Sequence, residues 1–345
     1  MNSPLRQFLV ILAAAAVSAA VWLGAVQLQM GMRTGQSEWV HGILERKLAY
    51  ARAAQGRKIL IASGSNSMFG ISAAEMEKTL GMPTVNLSLS VMLGLHYILD
   101  MAEREAAPGD IVILPLEYAF YVVPRLPQGG MFVDYVLARD HAWLERQPWR
   151  LRLAFLLSPP CERIWEGLGM RYLGAPQRGT AGYISGFNAN GDYLGNVVRP
   201  PTAANSLAQE PPERYLTEGM RPSAGFASAV DAFLARCRAK GVTVFAAFPT
   251  LMREAAYGTD AARGAVRDIE EYWSSRKVPM LGDFEASLFD RDVCYDIRYH
   301  LTAAGRELHT AALMAALRPR LAEVSAAKPR GAGTADAAPA PGARP

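Results

Sequence analysis

The hydrophobic pattern of this chain changes period several times, and each change marks an element. The first block, Phe8 to Val26 (FLVILAAAAVSAAVWLGAV), carries no charge. A bilayer core of about 30 Å needs about 20 apolar residues in a helix, so this run predicts one membrane-spanning helix. The residues after it lack a clear small-x-small cleavage site, which favours a retained anchor over a removed signal peptide. Arg6 lies before the run, and Arg33, Arg46, Lys47 and Arg52 lie beyond it. Positive charge on both sides leaves the orientation open. From Ser37 to Ala54 apolar residues recur at helical spacing and predict a juxtamembrane helix. Residues 1–32 thus read as an anchor, and 33–56 as the segment joining it to a domain.

Further on, short apolar runs alternate with amphipathic ones. Lys58 to Ala62 (KILIA), Thr84 to Leu87 (TVNL), Asp110 to Leu116 (DIVILPL), Val242 to Phe248 (VTVFAAF) and Val278 to Leu281 read as strands. Met68 to Leu80, Val91 to Ala106, Phe226 to Lys240 and Thr259 to Lys277 read as helices between them, and a last helix opens at Thr302. This alternation predicts an α/β domain over residues 57–323, with a doubly wound, mostly parallel sheet and helices on both faces. Between about 123 and 223 the periodicity degrades into a stretch rich in Pro, Gly, Arg and aromatics, with a helix at Ala142 to Leu157. It reads as an insertion forming a lid or a substrate wall. Residues 324–345, rich in Ala, Pro and Gly, predict a disordered tail.

Composition narrows the function classes. The 345 residues carry 36 Lys and Arg against 32 Asp and Glu, a formal net charge of +4. No dense basic run is interleaved with aromatics, so nucleic acid is not expected as a partner. Cys161, Cys237 and Cys294 are odd in number and widely spaced, which fits neither a disulfide framework nor a zinc cluster. Cys294 reads as a buried structural thiol. His41, His96, His141 and His309 read as structural, no His and carboxylate spacing suits a metal, and no Gly-rich phosphate loop follows a strand. No cofactor is expected.

Candidate chemistry gathers at two distant places. Ser65, in the cluster Ser63-Gly64-Ser65-Asn66-Ser67, follows a buried strand and opens a helix. Backbone N–H groups at such a turn can stabilise an oxyanion next to a nucleophilic hydroxyl. The plainer reading is that these residues make the turn and cap the helix. Near the other end, Asp296 and His300 share one loop before a helix, in VCYDIRYHLTAAGRELHTAAL. By triad logic His300 takes the Ser65 proton and Asp296 fixes the imidazole tautomer. Ser67 is the alternative nucleophile. Glu117, at the end of a buried strand, orients the site or a sugar hydroxyl, or else solvates the strand end; Tyr118 beside it is read the same way.

These pieces together resemble the SGNH (GDSL-like) hydrolase superfamily, and more closely its membrane-anchored, DltD-like and alginate O-acetylation-like branches. The matching blocks are ILIASGSNSMFGI (Ile59 to Ile71), VNLSLSVMLGL (Val85 to Leu95), IVILPLEY (Ile111 to Tyr118) and YDIRYHLTAAGRELHT (Tyr295 to Thr310). The resemblance implies a flavodoxin-like SGNH fold with Ser65, Asp296 and His300 as its triad. It places the oxyanion and substrate contacts near Asn66, Asn86, Ser88 and Ser90. The chain departs from the pattern in three ways: Ser63-Gly64 stands where the family has Gly-Asp before its nucleophile, so the preceding acid is absent, Glu117 and Tyr118 stand at the third-block Asn, and the last block is D-x-x-x-H.

What the resemblance implies is an ester hydrolase or O-acyltransferase on the inner membrane, held there by Phe8 to Val26, with its catalytic domain in the periplasm. Its substrate would be an acylated cell-envelope polysaccharide or exopolysaccharide, or a small ester, and a membrane-bound O-acyltransferase would be its partner. The alternative is a weakly active or inactive relative that binds a glycan or scaffolds an envelope acylation complex. A third reading is a thioesterase-like or lipid-acting hydrolase, for which a broad apolar groove near the membrane is expected.

Overall fold

The computed structural model describes residues 3–122, 129–174 and 186–326. Its helices are α1 (Ser3–Leu28), α2 (Glu38–Ala53), α3 (Ser65–Gly70), α4 (Ala73–Leu80), α5 (Leu95–Glu105), α6 (Tyr118–Val122), α7 (Gly129–Arg139), α8 (His141–Glu145), α9 (Trp149–Leu157), α10 (Cys161–Leu173), α11 (Ala203–Gln209), α12 (Arg214–Thr217), α13 (Ala224–Lys240), α14 (Asp260–Ser275) and α15 (Ala303–Ala326). Its strands are β1 (Ile59–Ile61), β2 (Thr84–Asn86), β3 (Ile111–Leu114), β4 (Thr243–Ala247), β5 (Leu251–Met252), β6 (Met280–Leu281) and β7 (Leu288–Phe289).

Five strands form one parallel sheet in the order β2-β1-β3-β4-β6. The α/β class and the parallel sheet are therefore as expected from the alternation of short apolar runs and amphipathic segments. The strands are short and buried on both faces, so residues of opposite parity serve two cores. Ile59, Ile61, Ile111, Ile113, Phe245 and Ala247 pack with Met76 of α4 and with Leu313, Met314 and Leu317 of α15. Leu60, Val112, Leu114, Val244 and Ala246 face the larger core built with α5, α13 and α14.

Several predicted helices are broken, each for a local reason. The run Met68 to Leu80 divides into α3 and α4 because Ile71 is extended (φ −128°, ψ 134°) and buried in the second core, after which Ser72 caps α4 by accepting from Glu75 N–H. The run from Val91 begins with a single 3₁₀ turn, and α5 starts only after Gly94, whose φ of 73° ends that turn. Within the insertion, Pro148 separates α8 from α9. The insertion is largely helical, from α7 to α12, where the sequence showed little period. The small β5-β7 sheet was not anticipated: two-residue strands carry too little pattern to be read. The last helix runs to Ala326, two residues past the expected start of the tail, and the rest of that tail lies outside the described residues.

α1 is the one helix among the described residues long and apolar enough to cross a membrane: Pro4–Leu28, mean hydropathy 2.4, with almost none of its surface buried. Its C-terminal part meets the domain through α9 and α10; Val26 is buried and Trp22 Nε1 donates to Leu156 O at 2.9 Å.

Candidate functional site

The strand order reverses between β1 and β3: β2 lies on one side of β1, and β3 and the later strands on the other. In open α/β sheets the crevice at such a reversal, outside the carboxyl ends of the strands, is the usual ligand site. Ser65 follows β1 and Glu117 follows β3, so the topology brings both to this crevice.

Ser65 is the first residue of α3 and is half-buried. Ser67, by contrast, is wholly buried and its Oγ has no partner. The turn is held by its other polar residues. Ser63 Oγ donates to Pro115 O at 2.6 Å and lies 3.0 Å from Asn66 Oδ1, and Asn66 Nδ2 donates to Pro115 O at 2.9 Å. The turn after β1 is thereby tied to the end of β3. Gly64 makes the approach sterically feasible: a Cβ there would lie 2.1 Å from Glu117 Oε2 and 2.6 Å from Val91 Cγ1.

Asp296 and His300 come together as expected from their shared loop. Tyr295 N–H donates to His300 O, His300 N–H to Ile297 O and Thr302 N–H to Val293 O, closing the segment into a turn that absorbs the extra residue between acid and base. His300 Nδ1 and Asp296 Oδ1 are 2.7 Å apart. His300 Nε2 is buried and makes no hydrogen bond. The imidazole stacks on Phe69, with ring centroids 3.9 Å apart and planes 13° off parallel. Phe69 is four residues after Ser65 on α3, which places both on one helix face. No hydrogen bond joins Ser65 to His300: the imidazole stacks on Phe69, one helical turn from Ser65, and its Nε2 is unengaged.

Glu117 is the least ordinary group nearby. Its Oε1 accepts from Asn66 N–H at 2.9 Å, satisfying one of the free amides at the start of α3, while Oε2 is buried without a partner. Burial pushes this carboxyl up to about 8; the Asn66 N–H bond draws it down only in part, and the Glu213 charge raises it further. At neutral pH Glu117 therefore keeps its proton. Beside it, Tyr118 OH is buried and unpartnered, the Tyr118 and Tyr299 rings are 6.4 Å apart, and Tyr299 OH donates to Glu213 at 2.6 Å. Burial holds both phenols well above their usual range.

The remaining sequence-derived candidates are buried and hold the turn. Asn86 Nδ2 donates to Ser67 O and Ile71 O, closing the end of α3, and its Oδ1 accepts from Ser88 N–H. Ser88 Oγ donates to Ile61 O, and the Ser88 carbonyl accepts from Lys47 Nζ. Lys47, read from sequence as part of a stalk helix, is buried; burial brings its amine down to about 7, against the raising effect of Asp192. Sequence reasoning also missed Phe69, Glu213 and Tyr299. The spacing of Phe69 from Ser65 was a usable signal; Glu213, in the insertion, had none.

Among the described residues no group of His, Cys, Asp and Glu is arranged to hold a metal ion. Comparisons with known protein families, with curated proteins and with solved structures find no match.

Proposed function

We propose that the chain is an SGNH-type serine ester hydrolase or O-acyltransferase, held at the inner membrane by α1 with its domain on the periplasmic side. The observation that carries this reading is the Asp296–His300 pair, whose free Nε2 lies on a ring stacked one helical turn from Ser65. In this mechanism Ser65 Oγ attacks an ester carbonyl and its proton passes to His300 Nε2, while Asp296 fixes the tautomer through Nδ1. The leaving alkoxide takes that proton from His300, and an acyl-serine remains. Water or a sugar hydroxyl then attacks the acyl-serine, with His300 again as base. In this reading the Ser65 N–H serves the developing oxyanion, the Asn66 N–H being already bonded to Glu117 Oε1. The neutral Glu117 carboxyl supplies the proton donor that the family draws from its third-block Asn.

The substrate class, an acylated cell-envelope polysaccharide or exopolysaccharide, and the partner, a membrane-bound O-acyltransferase, follow from the resemblance in the four sequence blocks. A second reading, a glycan-binding scaffold without turnover, is favoured by one feature, the Glu117 carboxyl standing at the position of that Asn. Labelling of the full-length protein in detergent with a serine-reactive fluorophosphonate separates the two. Labelling lost in Ser65→Ala, kept in Ser67→Ala and reduced in His300→Ala is the expected result. A folded wild type that takes no label refutes the enzyme reading.

A further inference from the structure

The face of the insertion that meets α1 carries a pattern the active-site reading does not use. α9 and α10 both pack against α1, and the loop that joins them, residues 158–160, is the tip of this face. Trp22 Nε1, six residues before the end of α1, donates to Leu156 O at the end of α9. Gly167, midway along α10, lies against Gln29 just beyond α1: a Cβ there would be 2.8 Å from Gln29 Cβ. Between the two helices a groove of about 440 Å³ is lined by Val17, Val21 and Trp22 of α1 and by Cys161, Ile164 and Trp165 of α10.

The tip is apolar. From Leu153 to Cys161 the sequence LAFLLSPPC carries no charge, with Arg150 and Arg152 on one side and Glu162 on the other. Leu157 is 55% exposed and Trp165 74% exposed, and Trp149 also faces outward. An uncharged tip between charged flanks, with tryptophans at the edges, is the distribution of a segment that enters a bilayer interface. This face is also rigidly attached. Arg163 and Asp134 form a wholly buried ion pair at 2.9 Å, Arg163 also donates to Met32 O, and Gly35 N–H donates to Glu166 Oε1. α10 is thus clamped to the segment that leads out of α1.

We infer that the α9–α10 tip is immersed in the lipid leaflet at the C-terminal end of α1, as a second contact of the domain with the membrane. The inference rests on the reading of α1 as a retained anchor. Lipid acyl chains are the occupant because of depth. At about 1.5 Å per residue, Trp22 lies roughly 9 Å and Val17 roughly 16 Å inside the end of α1. If α1 spans a hydrocarbon core of about 30 Å, the groove walls and the tip beside them stand within it. With α1 and the tip both embedded, the domain cannot swivel freely about α1, and the mouth of the sheet crevice keeps a set attitude to the membrane surface.

The test uses the full-length protein, with exposed Cys161 replaced by Ala, in nanodiscs of phosphatidylethanolamine and phosphatidylglycerol. An environment-sensitive fluorophore is attached at Leu157→Cys, at Leu12→Cys in α1, or at Glu270→Cys on the exposed side of α14. Emission at 157 should lie to the blue of that at 270, and lipids spin-labelled high on the acyl chain should quench most of it, with 12 also shielded from aqueous iodide and 270 open to it. A site at 157 that iodide quenches while 12 stays shielded overturns the inference and leaves the anchor standing. Open access at both positions refutes the anchor and the inference together. A site at 157 shielded from both quenchers means that protein covers the tip, which also overturns the inference.

Discussion

Glu117→Gln is an isosteric change that removes one proton equilibrium from the centre of the site, and its effect can be worked out from the surroundings. The Glu117 carboxyl is buried at the turn before α3, one oxygen on Asn66 N–H and the other without a partner, and burial raises it from an ordinary 4.5 to about 8. In the unfolded chain it ionises first. Between about pH 4.5 and about pH 8 the unfolded state has therefore released a proton that the folded state retains. Stability from this group is complete below the lower value, declines as pH rises through the interval, and is constant again above the upper value. The limiting slope for one proton is about 1.4 kcal/mol per pH unit. The Gln variant has no such slope. Thermal unfolding of both proteins across this interval, followed by near-ultraviolet circular dichroism, should give curves that diverge steadily, the wild type losing ground as pH rises; the difference cancels every other titrating group. Parallel curves would refute the assignment of a neutral buried acid. The same proton bears on the proposed chemistry: wild-type turnover should fall as pH passes about 8, while the Gln variant, with a permanent N–H donor, keeps its activity there.

Two further expectations follow from packing around the same turn. Phe69→Leu keeps apolar bulk but removes the ring face on which His300 stacks; a stacked pair contributes about 0.5–1.5 kcal/mol, so the fluorophosphonate labelling rate of the folded protein should fall by up to about tenfold, alongside a loss of stability of about 1 kcal/mol from shrinking a buried ring. An unchanged rate would show that Phe69 does not position the imidazole. Gly64→Ala places a Cβ against Glu117 Oε2 and Val91 Cγ1, and should destabilise by about 1–3 kcal/mol or more in chemical denaturation, whereas the same change at Gly258, with open space around it, should cost far less.

How much of this was legible beforehand differs from one element to the next. KILIA, DIVILPL and VTVFAAF announced buried parallel strands because strands covered on both faces are apolar throughout, and all three are strands of the main sheet. The Asp296 and His300 pairing was legible because both residues share one loop, so their meeting needs only a local turn. The broken helices were not, since the extended backbone at Ile71 is set by burial in a core assembled from α4, α15 and four strands. The α7–α12 region hid most of its helices because helices of one to three turns offer too few positions to establish a period.

Local composition and period determined the apolar first helix, the α/β class and which residue types stand at the ends of the strands, because those depend on neighbours a few positions away. Tertiary structure alone decided that Glu117 has one oxygen on the amide of Asn66 and the other buried without a partner. It also decided that Phe69 lies under His300 and that Lys47 reaches the Ser88 carbonyl from a helix outside the sheet. Each of these joins segments distant in the chain, and burial changes the chemistry of the group: an acid keeps its proton and an amine is brought down to about 7, as no residue's identity could foretell.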